Sequence, residues 1–355
     1  MKRILIVNTV PTDGNGITNV IFNYIKNIDI QKAHIDLVSI NTPEDSYYKV
    51  IQQQNGTIFV LDRNTKHLYI YIKKLISLMK PYDVVHVHGN SSSMILELFA
   101  AFCAGVKIRV AHGHSATCNN IRLHTILRPL LNRLSTKRVA CSVKSGDFTF
   151  GKAPYTVLRN CFDVVAYGYN KNERERLRKR FGVDQFAVLG HVGRFNSYKN
   201  HRFIIKVFKE LQSIDKDLRL VLIGDGPLKN SIEKQVMEEN LDQFVQFLGN
   251  IDYADKVYNM MDCFIMPSVS EGFGSAAVEA QANGLPTILS EAVSPEVKIN
   301  NNCFFVSLDA SLDEWCSLII DNINNRELNG NKNVISAGYA VEEVMKSLEE
   351  IYGIF

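Results

Sequence analysis

Two carboxylates eight residues apart, Glu271 and Glu279, bracket the turn Gly272-Phe273-Gly274-Ser275 and the start of an alanine-rich stretch. A glycine turn opening a helix leaves backbone N–H groups free for a diphosphate or for sugar hydroxyls. Glu271 at that mouth can accept from a hydroxyl, and Glu279, one turn in, can chelate a ribose diol. The plainer alternative has Glu271 capping the helix and Glu279 on a solvated face. The small residues Ala276, Ala277, Ala280 and Ala282 imply close packing there and favour the functional reading.

Three more glycine turns could meet the same ligand. Gly193-Arg194 is followed by Lys199-Asn200, so a bidentate guanidinium and a mobile ammonium could clamp a diphosphate whose oxygens gain charge as it departs. Two solvated surface charges account for that segment equally well. Gly224-Asp225-Gly226-Pro227 places proline where a helix can begin and is, alone, an ordinary strand-to-helix turn. Asp13-Gly14-Asn15-Gly16-Ile17 could bring amides to a phosphate, although a plain turn is as good a reading and the spacing is not G-x-G-x-x-G.

The pairs His86/His88 and His112/His114 alternate as strand residues on one face do, which is a zinc-chelating spacing. No Asp, Glu or Cys accompanies them at ligand spacing, so packed or hydrogen-bonded histidines are expected and no metal site. Asp215-Lys216-Asp217, the only Asp-x-Asp, sits in a polar turn and is read as solvated.

Positioning these residues requires strands alternating with helices. Strands are expected at 3–7, 34–40, 56–60, 84–88, 108–112 and 137–141, with helices at 17–28, 66–79, 92–104 and 121–135. The charged segment 170–180 interrupts the rhythm as a solvated helix or connector. Strands then recur at 187–192, 218–223, 245–248, 263–266, 286–289 and 303–306, with helices at 200–213, 227–239, 253–261, 275–283 and 340–352. The pattern predicts an N-terminal Rossmann-like domain at 1–165, a second at 166–338, and a final helix at 339–355 that could cross back to the first.

The chain's 355 residues, 46% hydrophobic and 22% charged, exclude a mainly disordered protein and suit two domains. Seven scattered cysteines without C-x-x-C read as reduced thiols and point to the cytoplasm. The apolar run Ile4–Val7 is too short for a signal-peptide core. The stretch 93–111 carries Glu97, Lys107 and Arg109, against a membrane span. Residues 1–165 hold 20 Lys+Arg against 10 Asp+Glu, net +10, whereas 166–355 hold 20 against 27, net −7. A basic half suits an anionic partner, and no nucleic-acid module accompanies it. Between Ile121 and Arg138, Ile126, Leu127, Leu130, Leu131 and Leu134 interleave with Arg122, Arg128, Arg133, Lys137 and Arg138. This resembles an interfacial helix that Pro129 would kink or begin; an ordinary core helix with a basic outer face fits slightly better.

Together these motifs carry a family resemblance. Glu271-x₇-Glu279, Gly193-Arg194, Lys199-Asn200, Gly224–Pro227, Phe247-Leu248-Gly249 and Ala280–Pro286 resemble the retaining glycosyltransferases of family 4, nearly motif by motif over 187–290. In the first half, Val84–Gly89, Arg109–His114, Cys141-Ser142 and Asn160–Asp163 are similar to bacterial capsule and exopolysaccharide members. Two departures stand out: Asn15-Gly16 where the family has Gly-Gly, and Asn160-Cys161 where it has Asn-Gly.

The resemblance implies an α/β GT-B architecture, two Rossmann-like doubly wound domains facing across a cleft, with the donor on the C-terminal one. It implies metal-independent transfer of a hexose or N-acetylhexosamine from a nucleotide diphosphate sugar, UDP favoured over GDP and no cofactor, to a surface-polysaccharide or lipid-linked acceptor. By that resemblance Arg194 and Lys199 hold the diphosphate, Glu271 positions the sugar, Glu279 binds ribose and His114 contacts the sugar near the reacting centre. Gly16, Gly193, Gly224, Gly226, Leu248, Gly272, Phe273, Gly274 and Ser275 complete the donor site. The implied location is cytoplasmic, with peripheral docking at the inner membrane face. A nucleotide-sugar epimerase of the same fold and a non-catalytic nucleotide-sugar binder are the alternatives.

Overall fold

The computed structural model describes residues 1–13, 15–63, 67–251 and 253–354. Gly14 of the first loop and Lys66 of the expected second-helix start lie outside the described residues. The chain divides into two units, one from Met1–Phe162 plus the segment beginning at Val341, the other Asp163–Ala340.

In the first unit, β1 (Lys2–Asn8), β2 (Ala33–Ser39), β3 (Ile58–Val60), β4 (Val84–Gly89), β5 (Ile108–Gly113), β6 (Lys137–Ala140) and β7 (Thr156–Val157) form one parallel sheet ordered β3-β2-β1-β4-β5-β6-β7. Its strands are continuous apolar runs because helices cover both faces. Ile4 and Ile6 of β1 pack with helix Gly16–Asn27, whereas Leu5 and Val7 face helices Leu68–Met79 and Ile95–Cys103. The C-terminal helix Val341–Tyr352 buries Val344, Met345, Leu348, Ile351 and Tyr352, a helical stripe, in the first of these cores.

The second unit repeats the pattern with β8 (Ala187–Val192), β9 (Leu218–Ile223), β10 (Val245–Gly249), β11 (Cys263–Met266), β12 (Thr287–Ser290) and β13 (Cys303–Val306), ordered β10-β9-β8-β11-β12-β13. Both sheets reverse direction of strand addition beside their first strand, at β1/β4 and β8/β11. Loops at the carboxyl ends flanking such a reversal form the ligand crevice of doubly wound sheets.

All the expected strands form, with ends shifted by up to two residues. Helices Asp45–Gln53, Val143–Phe150 and Leu312–Asn322 were not expected. The first has a short apolar stripe, with Ile51 buried and Tyr47 and Val50 partly buried against the same core. The last carries one, Trp315, Cys316 and Ile319, that its sequence does display. Helix Ile121–Leu134 runs through Pro129, which neither starts nor ends it. All seven cysteines are free thiols, five of them buried. Among the described residues no helix is long and apolar enough to cross a membrane.

Candidate active site

The loop after β8 and the loop after β9 meet backbone to backbone. The Gly193 amide donates to the Ile223 carbonyl at 2.9 Å and the Phe195 amide to that of Asp225 at 2.9 Å. Gly224 has φ +128°, and a Cβ there would lie 2.3 Å from the Gly193 carbonyl oxygen, so the contact requires glycine. Arg194 projects from this junction and is exposed.

The same loop is tied to the segment after β11. The Val269 amide donates to the Tyr198 carbonyl at 2.8 Å, and the Asn200 side-chain amide donates to the Pro267 carbonyl at 3.1 Å. Between these links Lys199 Nζ lies 2.6 Å from Glu271 Oε1, and the Ser268 hydroxyl donates to the same oxygen at 2.9 Å. Glu271 therefore pairs with a cation across the β8/β11 reversal, and capping is not its role.

Helix Ser275–Ala282 starts from Gly274, whose φ of +107° and 2.9 Å Cβ approach to Val293 demand glycine. One turn in, Glu279 Oε2 accepts the Tyr258 hydroxyl at 2.7 Å. Glu279 is only partly exposed, and burial pushes its carboxyl above the usual range against the opposing pull of the Tyr258 bond and the Lys199 charge. The solvated-face alternative fails on this geometry. Tyr167 stands beside Tyr258, ring centroids 5.8 Å apart. Neither tyrosine was anticipated, because aromatic residues outside a motif look like core.

Other anticipated residues are held by the surrounding scaffold. Phe273 is buried with its ring 5.7 Å from Tyr339, which leaves its backbone as the part that can meet a donor. Leu248 is half-buried at an irregularity in the β10/β9 register. Gln281 accepts the Ile299 and Asn300 amides at 3.0 and 2.9 Å, holding the helix. Asp215 accepts the Asp217 amide at 2.8 Å in a turn leading into β9, at the edge of the sheet opposite these loops.

In the first unit His114 follows β5. Its Nε2 lies 2.9 Å from His88 Nδ1, and burial lowers its pKa to about 3, so the ring is neutral. Gly16 opens helix Gly16–Asn27 with nothing within 4 Å of where a Cβ would stand. Asn15, the departure from Gly-Gly, caps that helix: its Oδ1 accepts the Ile17 and Thr18 amides, each at 3.0 Å. One amide of the loop expected to approach a phosphate, that of Ile17, is thus already engaged.

Two doubly wound units, the second carrying cations and carboxylates at its sheet reversal, are the architecture of the GT-B fold. Residues 173–339, most of the second unit, match the family Glycosyl transferases group 1. EpsF of Bacillus subtilis (strain 168) is 29% identical over 336 residues, 90% of this chain and 87% of its own length. The Escherichia coli UDP-Gal:alpha-D-GlcNAc-diphosphoundecaprenol alpha-1,3-galactosyltransferase is 25% identical over 79% of each chain. In fold, the chain is similar to Anabaena HepE, crystallised with UDP and glucose, at a TM-score of 0.83 and 18% identity over both full lengths.

Proposed function

We propose that the chain transfers a hexose or N-acetylhexosamine, with retention of anomeric configuration, from a UDP-sugar to a surface-polysaccharide or lipid-linked glycan acceptor. The observation that carries this reading is the Lys199–Glu271 pair at 2.6 Å across the β8/β11 reversal. It holds a diphosphate cation and a sugar-hydroxyl acceptor side by side. The UDP and glucose bound by HepE and the donor and acceptor in the Escherichia coli relative's name support the substrate classes.

In this mechanism Arg194 and Lys199 neutralise charge developing on the departing diphosphate, beside the close-approach glycines Gly193, Gly224 and Gly226. Glu271 orients the donor sugar and Glu279 the ribose. Neutral His114 contacts the sugar near the reacting centre, and Gly16 leaves room beside the donor phosphate. The acceptor attacks from the leaving-group face without a protein nucleophile. Two fixed cations and the Gly274 helix start take the part a divalent metal plays elsewhere, so transfer proceeds without one.

We also propose peripheral docking of the first unit at the cytoplasmic membrane face. Helix Ile121–Leu134 buries only His124, Leu131 and Leu134, leaving Ile121, Leu123, Ile126 and Leu130 between 45% and 74% exposed beside Arg122 and Arg133. An apolar and basic outer face, in place of a merely basic one, suits an anionic lipid surface.

Incubation with a panel of nucleotide sugars and a glycan acceptor tests the reaction. Free nucleoside diphosphate with glycosylated acceptor supports it. Epimerised donor points to the epimerase, and unchanged donor to a binder; either outcome overturns the transferase reading.

A further inference from the structure

Four histidines converge on the carboxyl ends of β4 and β5. His88 and His112 are register partners on the two strands, and ring centroids lie 4.1 Å apart for His86/His88, 4.8 Å for His88/His112 and 4.0 Å for His112/His114. His86, His88 and His112 are wholly buried.

Packing alone leaves this cluster chemically incomplete. His86 Nδ1 lies 2.7 Å from the Tyr352 hydroxyl and its Nε2 3.1 Å from His112 Nδ1. His88 Nδ1 is matched by His114 Nε2 at 2.9 Å. His88 Nε2 and His112 Nε2 have no hydrogen-bond partner among the described residues. A neutral imidazole carries one N–H and one lone pair, so each of these rings strands either a buried donor or a buried acceptor.

We infer that His86, His88 and His112 form a binding site for a zinc-class divalent cation. One nitrogen from each of the three lies within 4.8 Å of the others. A tetrahedral cation with M–N bonds of roughly 2.0–2.1 Å separates its ligand nitrogens by about 3.3 Å, close to the 3.1 Å already held between His86 and His112. Imidazole donors select zinc, cobalt, nickel or copper over magnesium and calcium. With His86 Nε2 and His112 Nδ1 as the 3.1 Å pair, His88 ligates through its stranded Nε2 and keeps the His88–His114 link as an outer hydrogen bond that orients its ring. The site lies in the first unit's core, bonded through His86 to Tyr352 of the C-terminal helix. It supplies no step of the transfer, whose diphosphate cations are on the second unit. Its effect is to pin the helix Val341–Tyr352 and the β4 and β5 ends.

The test uses the full chain without a polyhistidine tag, stripped by chelator and titrated with Co²⁺ while visible absorption, circular dichroism and thermal midpoint are followed. Stoichiometric uptake with the d–d bands of a tetrahedral nitrogen site, displacement by Zn²⁺ and a raised midpoint are expected. The bands should be lost in His88→Gln and His112→Gln, and kept in His34→Gln, a partly exposed histidine elsewhere on the unit. A stripped wild-type chain that stays folded yet gives no bands overturns the inference whatever the variants do. Bands that persist in His88→Gln/His112→Gln overturn it as well, because the cation then sits on other ligands.

Discussion

Lys199 Nζ and Glu271 Oε1, on loops 72 residues apart in sequence, lie 2.6 Å apart, with the Ser268 hydroxyl on the same carboxylate oxygen. The carboxylate is thereby oriented by two donors, one of them the ammonium that the proposed function assigns to the donor diphosphate. Glu271→Ala should lower kcat by about 10²–10³ with a smaller change in donor affinity. Because the residues act as a unit, Glu271→Ala/Lys199→Ala should lose far less than the product of the single losses. Steady-state kinetics of the four proteins check this; strictly multiplicative losses would separate the two residues' roles.

Glu279 should act on the nucleotide. Removing a hydrogen bond to a charged group costs about 1.5–3 kcal/mol, so Glu279→Ala should weaken UDP roughly 10- to 150-fold. Tyr258→Phe, which frees Glu279 Oε2 from its 2.7 Å donor, should weaken UDP less and leave 2′,3′-dideoxyuridine diphosphate unaffected. Because burial raises the Glu279 pKa, UDP affinity should begin to fall with acid above the ordinary carboxylate range. Calorimetric titration at several pH values measures all three; unchanged affinity in Glu279→Ala would remove the ribose contact.

Acid should destabilise the second unit. His201 is buried against Phe195, ring centroids 3.9 Å apart, beside His191 and under the Lys199 charge, and its folded pKa is lowered to about 3. An unfolded histidine titrates near about 6.5, so its contribution is complete above that pH and is lost as pH falls from there toward 3. The loss is about 1.4 kcal/mol per pH unit for each such histidine. Urea midpoints across this window should show a shallower slope in His201→Phe than in the wild type; identical slopes would contradict the burial argument.

The loops of the proposed donor site were legible from sequence because several glycine turns fall at the carboxyl ends of strands around one sheet reversal, although each alone reads as an ordinary turn. Gly193, Gly224 and Gly274 occupy places where a Cβ meets backbone or packed side chains within 3 Å. Glu271 and Glu279 were legible by spacing, but their partners Ser268 and Tyr258 were not, since a lone hydroxyl or aromatic residue carries no pattern. Asn15 reads as a departure from Gly-Gly and proves to be a helix cap. The stranded nitrogens of His88 and His112 follow from strand register, which alternation of His-x-His suggests without fixing which ring meets which.

Anionic vesicles should bind the chain, neutral ones far less. Each basic residue near such a surface contributes about 1 kcal/mol, and salt screens it. Leu123→Asn/Ile126→Asn, at exposed positions of the helix, should reduce flotation without changing the thermal midpoint. Equal flotation with neutral and anionic vesicles at low salt would defeat the docking proposal.

The most direct measurement is the rate of nucleoside diphosphate release with a saturating UDP-sugar and glycan acceptor, in EDTA, for the wild type and for Arg194→Ala/Lys199→Ala. The account predicts full wild-type turnover in EDTA and a loss of at least about 10²-fold in the folded variant, whose departing diphosphate lacks its preorganised cations. Wild-type rates in the variant, or activity abolished by EDTA and restored by Mg²⁺ or Mn²⁺, would contradict it.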